Sequence, residues 1–241
     1  MLSNKGLFIA LFILLSGLNA CTPAVDSTDI KTSGFDTSID VSASGNNSTT
    51  VSVVLFSGGR GVKLKNGDTL SATASGSTKL LSSPTDGMYE TTFAFDSSTL
   101  FSIKLDRPND PNATSTVTLP KPFSITAPTS NQLFQSGTNV QFLWSPVASG
   151  VLDLSYTTSC IDAANNSVSK SDVISLVDIV AGYTIASANL LPPSGAFDPN
   201  ITCVCSASLV RKATGTISPA LKTGSTISAQ QKRNIAFLIQ P

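Results

Sequence analysis

The chain has 241 residues with 15 basic and 15 acidic side chains, and it contains no histidine. The balanced charge excludes nucleic-acid binding driven by counterion release, because such binding needs an excess of Lys and Arg. Without histidine, the chain cannot carry a Ser-His-Asp or Cys-His nucleophile or a histidine-ligated zinc site. Apolar residues make up 41% and charged residues only 12%, which predicts folded cores beneath a surface of Ser, Thr, Asn and Gln.

The N-terminal 20 residues have the three-part layout of an export signal. A short positive start over 1–5 is followed by an apolar or small stretch over 6–18, which ends beside the small residue Ala20. The apolar stretch is shorter than the roughly 20 residues that a helix needs to cross a bilayer. The sequence therefore predicts a signal peptide over 1–20 that is removed on export.

The residues at the cleavage point are Leu18, Asn19, Ala20 and Cys21, and this run resembles the lipobox of bacterial lipoproteins. The resemblance implies that signal peptidase II cuts before Cys21, that lipid is attached to its thiol, and that acyl chains hold the protein to a membrane. Thr22 follows the cysteine, where an Asp would resemble an inner-membrane retention signal. We therefore expect the protein to be anchored in the outer membrane of a Gram-negative bacterium, facing either the periplasm or the outside. The alternative is an ordinary signal peptide cut before a cysteine.

Removing 20 residues from 241 leaves 221, which suggests two domains of about 100 residues each. Residues 21–37 have no apolar period and many small polar side chains, so they are predicted to be a lipidated tether. Short strand-like runs separated by Gly, Pro and Asn turns follow in a first domain over 38–119. These runs lie at 39–44, 50–56, 69–74, 88–95, 100–105 and 115–119.

Residues 120–122 read Pro-Lys-Pro, and this predicts a linker, because proline restricts its neighbour and cannot donate to a β-ladder. The second domain, 123–241, opens with a proline-containing strand and then a strand that ends in Trp144 and Ser145. This opening resembles that of many bacterial immunoglobulin-like domains. The prediction is an all-β chain of two tandem immunoglobulin-like antiparallel β-sandwiches. Segment 173–180 fits a short helix or a buried strand equally well.

Three cysteines remain beyond Cys21, and export to an oxidising compartment makes a disulfide the expected outcome. Cys160 is expected to pair with Cys203 or Cys205, and the choice stays open because residues 203 and 205 share one face of a strand. A redox-active pair and a soft-metal site are the alternatives.

The remaining polar motifs do not assign any catalytic residue, cofactor or metal. The loop over 106–112 gathers oxygen ligands that could hold calcium, but its two prolines also describe a surface turn. The glycine-rich run over 57–61 lacks the Gly-Lys-Ser or Gly-Lys-Thr of a phosphate loop. A glycosidase without histidine would need paired carboxylates. The candidate carboxylates are Asp96, Asp106, Asp153 and Asp178.

The sequence thus predicts a non-catalytic envelope lipoprotein that serves as a structural, assembly or binding module. Its expected partners are a membrane, through lipid on Cys21, and an envelope protein or a glycan. A surface adhesin or a capture protein for glycans or proteins is the alternative, and exposed aromatic side chains on a flat sheet would favour it.

Overall fold

A computed structural model describes residues 23–241 of the chain, so the predicted signal peptide and Cys21 lie outside the described residues. The described residues form eighteen β-strands, two single-turn 3-10 helices and one α-helix, Ser187–Leu190. None of their helices has the length and apolar character needed to cross a membrane. The predicted all-β class is confirmed.

The strands alternate buried and exposed side chains, which is the pattern of sheets with one face on a core and one in water. The strands are β1 (Val25–Asp26), β2 (Asp36–Ala43), β3 (Thr49–Ser57), β4 (Arg60–Lys63), β5 (Thr69–Ala74), β6 (Ser77–Leu80), β7 (Ser82–Thr85), β8 (Met88–Phe93), β9 (Leu100–Asp106), β10 (Ala113–Thr118), β11 (Ser124–Ala127), β12 (Leu133–Gln135), β13 (Asn139–Ser145), β14 (Val151–Ile161), β15 (Ser167–Val177), β16 (Gly182–Ala186), β17 (Cys203–Thr214) and β18 (Thr226–Gln240).

The strands form one sheet of eleven strands and two smaller sheets. The main sheet has the order β1-β4-β3-β2-β18-β17-β14-β15, with β8 paired to β3, β7 to β8 and β12 to β18. The smaller sheets have the orders β10-β9-β5-β6 and β11-β13-β16. Each smaller sheet shares a separate hydrophobic core with the main sheet.

The two cores are built around fully buried aromatic side chains. Phe35, Phe93 and Phe101 lie in the first core, and Phe142 and Trp144 lie in the second. Burying a large apolar side chain contributes about 1.5–3 kcal/mol relative to leaving it exposed. These rings are therefore major contributors to the stability of each core.

Strand β18 passes through both cores. Ile227 and Ala229 near its start pack in the first core, whereas Phe237 and Ile239 near its end pack in the second. One edge of β18 pairs in parallel with β2 and, further along, with β12. The other edge pairs with β17 over twelve residue pairs. The two cores are thus connected by continuous strands as well as by the segment at 120–122.

This connection bears on the predicted domain division, which stays a prediction. Leu221, Ile227 and Ala229 belong to the first core although they follow the linker in sequence. Thr116 and Thr216 exchange backbone hydrogen bonds of 2.9 and 2.7 Å, and these bonds attach the segment between β17 and β18 to the first core. The first core therefore uses residues from both sides of 120–122.

The segment predicted to be a tether over residues 21–37 packs against the first core where the structure describes it. β1 pairs in parallel with β4, two 3-10 helices follow at Ser27–Asp29 and Thr32–Gly34, and Phe35 is fully buried. The segment is polar overall, but its apolar residues Val25 and Ile30 also pack against the first core. Composition alone therefore did not predict this packing.

Segment 173–180, which the sequence left open between helix and strand, is extended as far as Val177, the end of β15. Strand β15 pairs with β14 over eleven residue pairs. Its odd-numbered residues are exposed and its even-numbered residues, except Asp172, are half-buried, which is the period of a strand at the edge of a sheet.

Candidate functional site

The described chain is attached to the first core from its first residue. Arg60 Nε donates a hydrogen bond of 2.8 Å to the Pro23 carbonyl, and Arg60 Nη2 donates one of 3.5 Å to the Ala24 carbonyl. The backbone of β1 then pairs with Val62 and Lys63 of β4. The predicted lipidation site, Cys21, lies two residues before this attached segment and outside the described residues.

Arg107 holds the next part of the N-terminal segment in place. Its guanidinium donates to the carbonyls of Ser27 and Ile30 at 2.7 and 2.9 Å, and to the carboxylates of Asp68 and Asp110 at 3.1 and 3.0 Å. The Arg107 side chain is only 4% exposed. A buried guanidinium with all these acceptors is well compensated, because its planar donors match carboxylate and carbonyl geometry.

Two further contacts complete this N-terminal clamp, which we define as Arg107 with its partners at 27–32, Asp68 and Asp110. The guanidinium carbon lies 4.8 Å from the centre of the Phe35 ring. The backbone N–H of Thr32 donates to Asp110, and this bond, together with the Thr32 hydroxyl and Arg107, lowers the pKa of that carboxyl. The clamp therefore fixes residues 27–35 against the loop at 106–112.

The clamp borders a cleft of about 430 Å³, and it brings two carboxylates together that sequence reasoning did not pair. Asp68 and Asp110 both bind Arg107. With its charge neutralised by Arg107 and its pKa lowered, Asp110 is poorly suited to donate a proton in a reaction. Two further oxygen-bearing side chains of this loop are also engaged, since Asn112 Oδ1 accepts from the backbone N–H of Arg107 and Asp106 pairs with Lys104.

A second buried polar cluster lies where the chain passes between the two cores. Asp178 is completely buried and Arg211 is 3% exposed, and the two form an ion pair. Asp178 Oδ1 also accepts a hydrogen bond of 2.8 Å from Trp144 Nε1. All polar atoms of this pair therefore lie among fixed donors and acceptors, away from water.

Arg211 extends the cluster to the predicted linker. It donates to the carbonyls of Lys121 and Pro146, and its guanidinium carbon lies 4.7 Å from the centre of the Phe123 ring. The guanidinium of Arg233 lies 5.3 Å from the same ring centre. Phe123 thus contacts two cations, an arrangement that cation–π attraction stabilises.

Gln231 and Arg233 fix the other side of the linker. The Gln231 amide is buried and donates to the carbonyls of Pro120 and Asp96, at 3.2 and 2.6 Å. Arg233 approaches the Asp96 carboxylate at 3.7 Å. We call Phe123, Trp144, Asp178, Arg211, Gln231 and Arg233 the junction. Because the junction binds the carbonyls of Pro120 and Lys121, it holds the linker in one conformation.

The four carboxylates that the sequence offered for catalysis are each paired with a separate basic side chain. Asp153 binds Lys212 at 2.9 Å and also accepts from the Ser175 hydroxyl, and these two contacts lower its pKa. Lys104 is the largest cause of a lowered pKa at Asp106. The four pairs are Asp96 with Arg233, Asp106 with Lys104, Asp153 with Lys212, and Asp178 with Arg211.

The structure pairs Cys160 with Cys203 in a disulfide and leaves Cys205 as a buried free thiol. The register decides between the two: Ser159 lies opposite Val204, which puts Cys160 beside Cys203, whereas Cys205 lies opposite Thr158. Burial raises the pKa of the Cys205 thiol to about 11. Cys205 is therefore predominantly a neutral thiol at ordinary pH and a poor nucleophile.

A groove of about 520 Å³ lies on the outer face of the main sheet. Hydroxyl and amide side chains of Ser155, Thr157, Ser206 and Asn234 line much of it. Among the aromatic side chains in the described part of the chain, Phe56 alone is exposed, at 39%. The groove thus lacks the exposed rings on which sugars commonly stack.

No protein-family model matches the chain, and no curated protein matches it. A structure of the Yersinia pseudotuberculosis adhesin InvE is similar at 14% identity over 86% of this chain, with a TM-score of 0.26, and the chain spans 59% of that structure. Fibronectin(III)-like modules of Clostridium thermocellum CbhA are similar at 10% identity, covering 83% of this chain and 93% of theirs, with a TM-score of 0.23. TM-scores of this size carry no argument about function.

Proposed function

We propose that this chain is an exported lipoprotein, anchored through lipid on Cys21 in the outer membrane of a Gram-negative envelope. In this proposal its two β cores form a non-catalytic body that acts as a structural, assembly or binding module at the membrane surface. The anchor rests on the lipobox-like run that ends at Cys21. The position of the body rests on the structure of the residues that follow.

The attachment of the chain from Pro23 onward is the observation that carries the proposed position. Only Thr22 lies between Cys21 and Pro23, and an extended chain covers at most about 3.6 Å per residue, or about 7 Å over the two steps. A lipid on Cys21 would therefore hold the first core directly against the headgroups. A flexible tether of 17 residues, as the composition suggested, would allow a far larger reach.

The contacts of the buried charged side chains support a non-catalytic role. Arg107 and Arg211, the most buried cations, each bind carboxylates and backbone carbonyls of segments that are distant in sequence. These contacts join the N-terminal segment and the linker to the cores. Charged groups committed in this way stabilise the arrangement of the body.

Metabolic labelling of the full chain in a lipoprotein-competent Gram-negative host tests the anchor. We expect labelled palmitate in the mature protein, an N-terminal peptide whose mass fits a lipidated Cys21, and recovery with outer-membrane vesicles. Cys21→Ala is the matched control, and it should abolish the label and the membrane association. Unmodified mature protein in the soluble fraction, or unchanged membrane association of Cys21→Ala, would overturn the proposal.

A further inference from the structure

Strand β15 ends the main sheet and, within residues 23–241, pairs on one side only, with β14. Backbone bonds at its two ends show which groups face β14. The Asn166 carbonyl accepts from the Asp162 N–H, and the Asp178 N–H donates to the Gly150 carbonyl. The backbone N–H and C=O groups of successive residues point to opposite edges of a strand. Those of the even-numbered residues therefore point toward β14, and those of the odd-numbered residues point away from it.

This outward edge is long and accessible. The odd-numbered residues of β15 all have exposed side chains, and Val173 and Val177 are 64% and 61% exposed. A row of unpaired backbone donors and acceptors with β-branched side chains is a template for pairing with another strand. The edge therefore fits a partner that presents an extended strand.

The sequence of β15 is complementary to itself when it is read in the opposite direction. An antiparallel copy centred on Ser171 places Lys170 opposite the second copy's Asp172, and Asp172 opposite its Lys170. The same register places Val168 opposite Ile174 of the second copy, while serines at 167 and 175 face each other. This register also pairs odd-numbered residues with odd-numbered residues, as the outward backbone groups require.

The present contacts of the two charged side chains are compatible with this pairing. Lys170 Nζ donates a bond of 2.6 Å to the Asn189 carbonyl, and its ammonium has further donors. Asp172 Oδ1 accepts a bond of 2.8 Å from the Val173 N–H. In the paired register that N–H would donate to Ser169 of the second copy, which frees Asp172 to face Lys170 of the second copy.

We propose that β15 is an interface at which two copies of this chain pair in antiparallel, centred on Ser171, so that their main sheets join across the contact. The interface adds self-association to the proposed function, and it does not depend on lipid at Cys21. Charges on an edge strand can also serve to prevent pairing. If the charges on β15 act in that way, Ser171→Cys will give no crosslinked dimer.

Cysteine crosslinking in intact envelopes tests the register. In the proposed pair, the two Ser171 Cα atoms lie about 5.5 Å apart, within the range of a disulfide. Ser171→Cys should therefore give a dimer of twice the chain mass on mild oxidation. Ser167→Cys is the matched control on the same edge, because its two copies would lie about 27 Å apart. It should crosslink only when it is co-expressed with Ser175→Cys.

Charge reversal in the Ser171→Cys background tests the complementarity. Lys170→Asp places two acidic pairs across the contact and Asp172→Lys places two basic pairs, so each alone should lower the crosslinked fraction by about tenfold. When the two variants are co-expressed with different tags, opposite charges meet again, and mixed dimers should recover. This recovery also shows that both variants fold.

Three results would overturn the proposal. The first is no crosslinked dimer of Ser171→Cys, and the second is equal crosslinking of Ser167→Cys alone. The third is a Ser171→Cys conjugate with a different protein, which would make that protein the occupant of the edge.

Discussion

Asp178 and Arg211 form an ion pair in which the side chains are 0% and 3% exposed. The pair lies between the second core and the linker, because Arg211 also binds the carbonyls of Lys121 and Pro146. Removing one partner of such a pair leaves a charge that is buried without compensation. The pair should therefore be costly to break even though it takes no part in chemistry.

Asp178→Asn should lower the free energy of unfolding by about 3–5 kcal/mol, because it leaves Arg211 unpaired in the interior. Asp153→Asn is the matched control, since Asp153 pairs with the exposed Lys212, and it should cost about 0–1 kcal/mol. Denaturant unfolding measures both variants. Equal losses would mean that the buried pair has no special role at the junction.

Arg107→Met should release the N-terminal segment from the first core, because it removes the donors to the Ser27 and Ile30 carbonyls. Hydrogen exchange should accelerate at residues 27–35 more than in β14. Lys104→Met removes an exposed ion pair with Asp106 and should leave exchange in that segment unchanged. If exchange in that segment stays the same in Arg107→Met, Arg107 does not hold the segment.

The Cys205 thiol should make stability depend on alkaline pH. Its pKa is about 11 in the folded chain against 9.0 for an unperturbed thiol, so the folded state retains the proton that the unfolded state loses. The stabilisation is complete below about pH 9 and is lost as the pH rises toward about 11. The difference in unfolding free energy between the wild type and Cys205→Ala should therefore change between pH 9 and 11 and stay constant from pH 6 to 8. A constant difference throughout would contradict the raised pKa.

Individual strands could be predicted because their alternation is local. The predicted run at 69–74 coincides with β5, where Leu70, Ala72 and Ala74 face the first core. The path of β18 could not be predicted in this way. Its two halves belong to different cores because of pairing with β2 and β12, and partners so distant in sequence leave no local pattern.

The candidate sites, too, could be predicted from the sequence only where they depend on local pattern. Alternation put Cys203 and Cys205 on one face, but only the register of β14 against β17 distinguishes them. The loop at 106–112 was recognisable as polar, whereas the role of Arg107 depends on carbonyls about 80 residues earlier in the chain. Phe35 is likewise buried in the first core, although the composition of the segment around it is that of a tether.

The shared strand β18 and the junction should make the two cores one rigid body. Spin labels at Ser83 in β7 and Ser159 in β14, both exposed, should give a single narrow distance distribution. Arg211→Leu should broaden it, because the Lys121 carbonyl loses its donor. A broad distribution in the labelled wild type would indicate cores that move independently.

The most direct test of an anchored body is its distance from the bilayer. A donor dye at Ser57, beside the Arg60 that binds the Pro23 carbonyl, should transfer energy efficiently to an acceptor lipid in vesicles that carry the lipidated chain. A dye at the exposed Ser159 of β14, a strand that packs on the second core, is the internal comparison. Inserting 20 Gly and Ser residues between Thr22 and Pro23 should sharply reduce transfer from Ser57. Weak transfer from Ser57 in the parent chain, unaffected by the insertion, would contradict a body held at the membrane by Cys21.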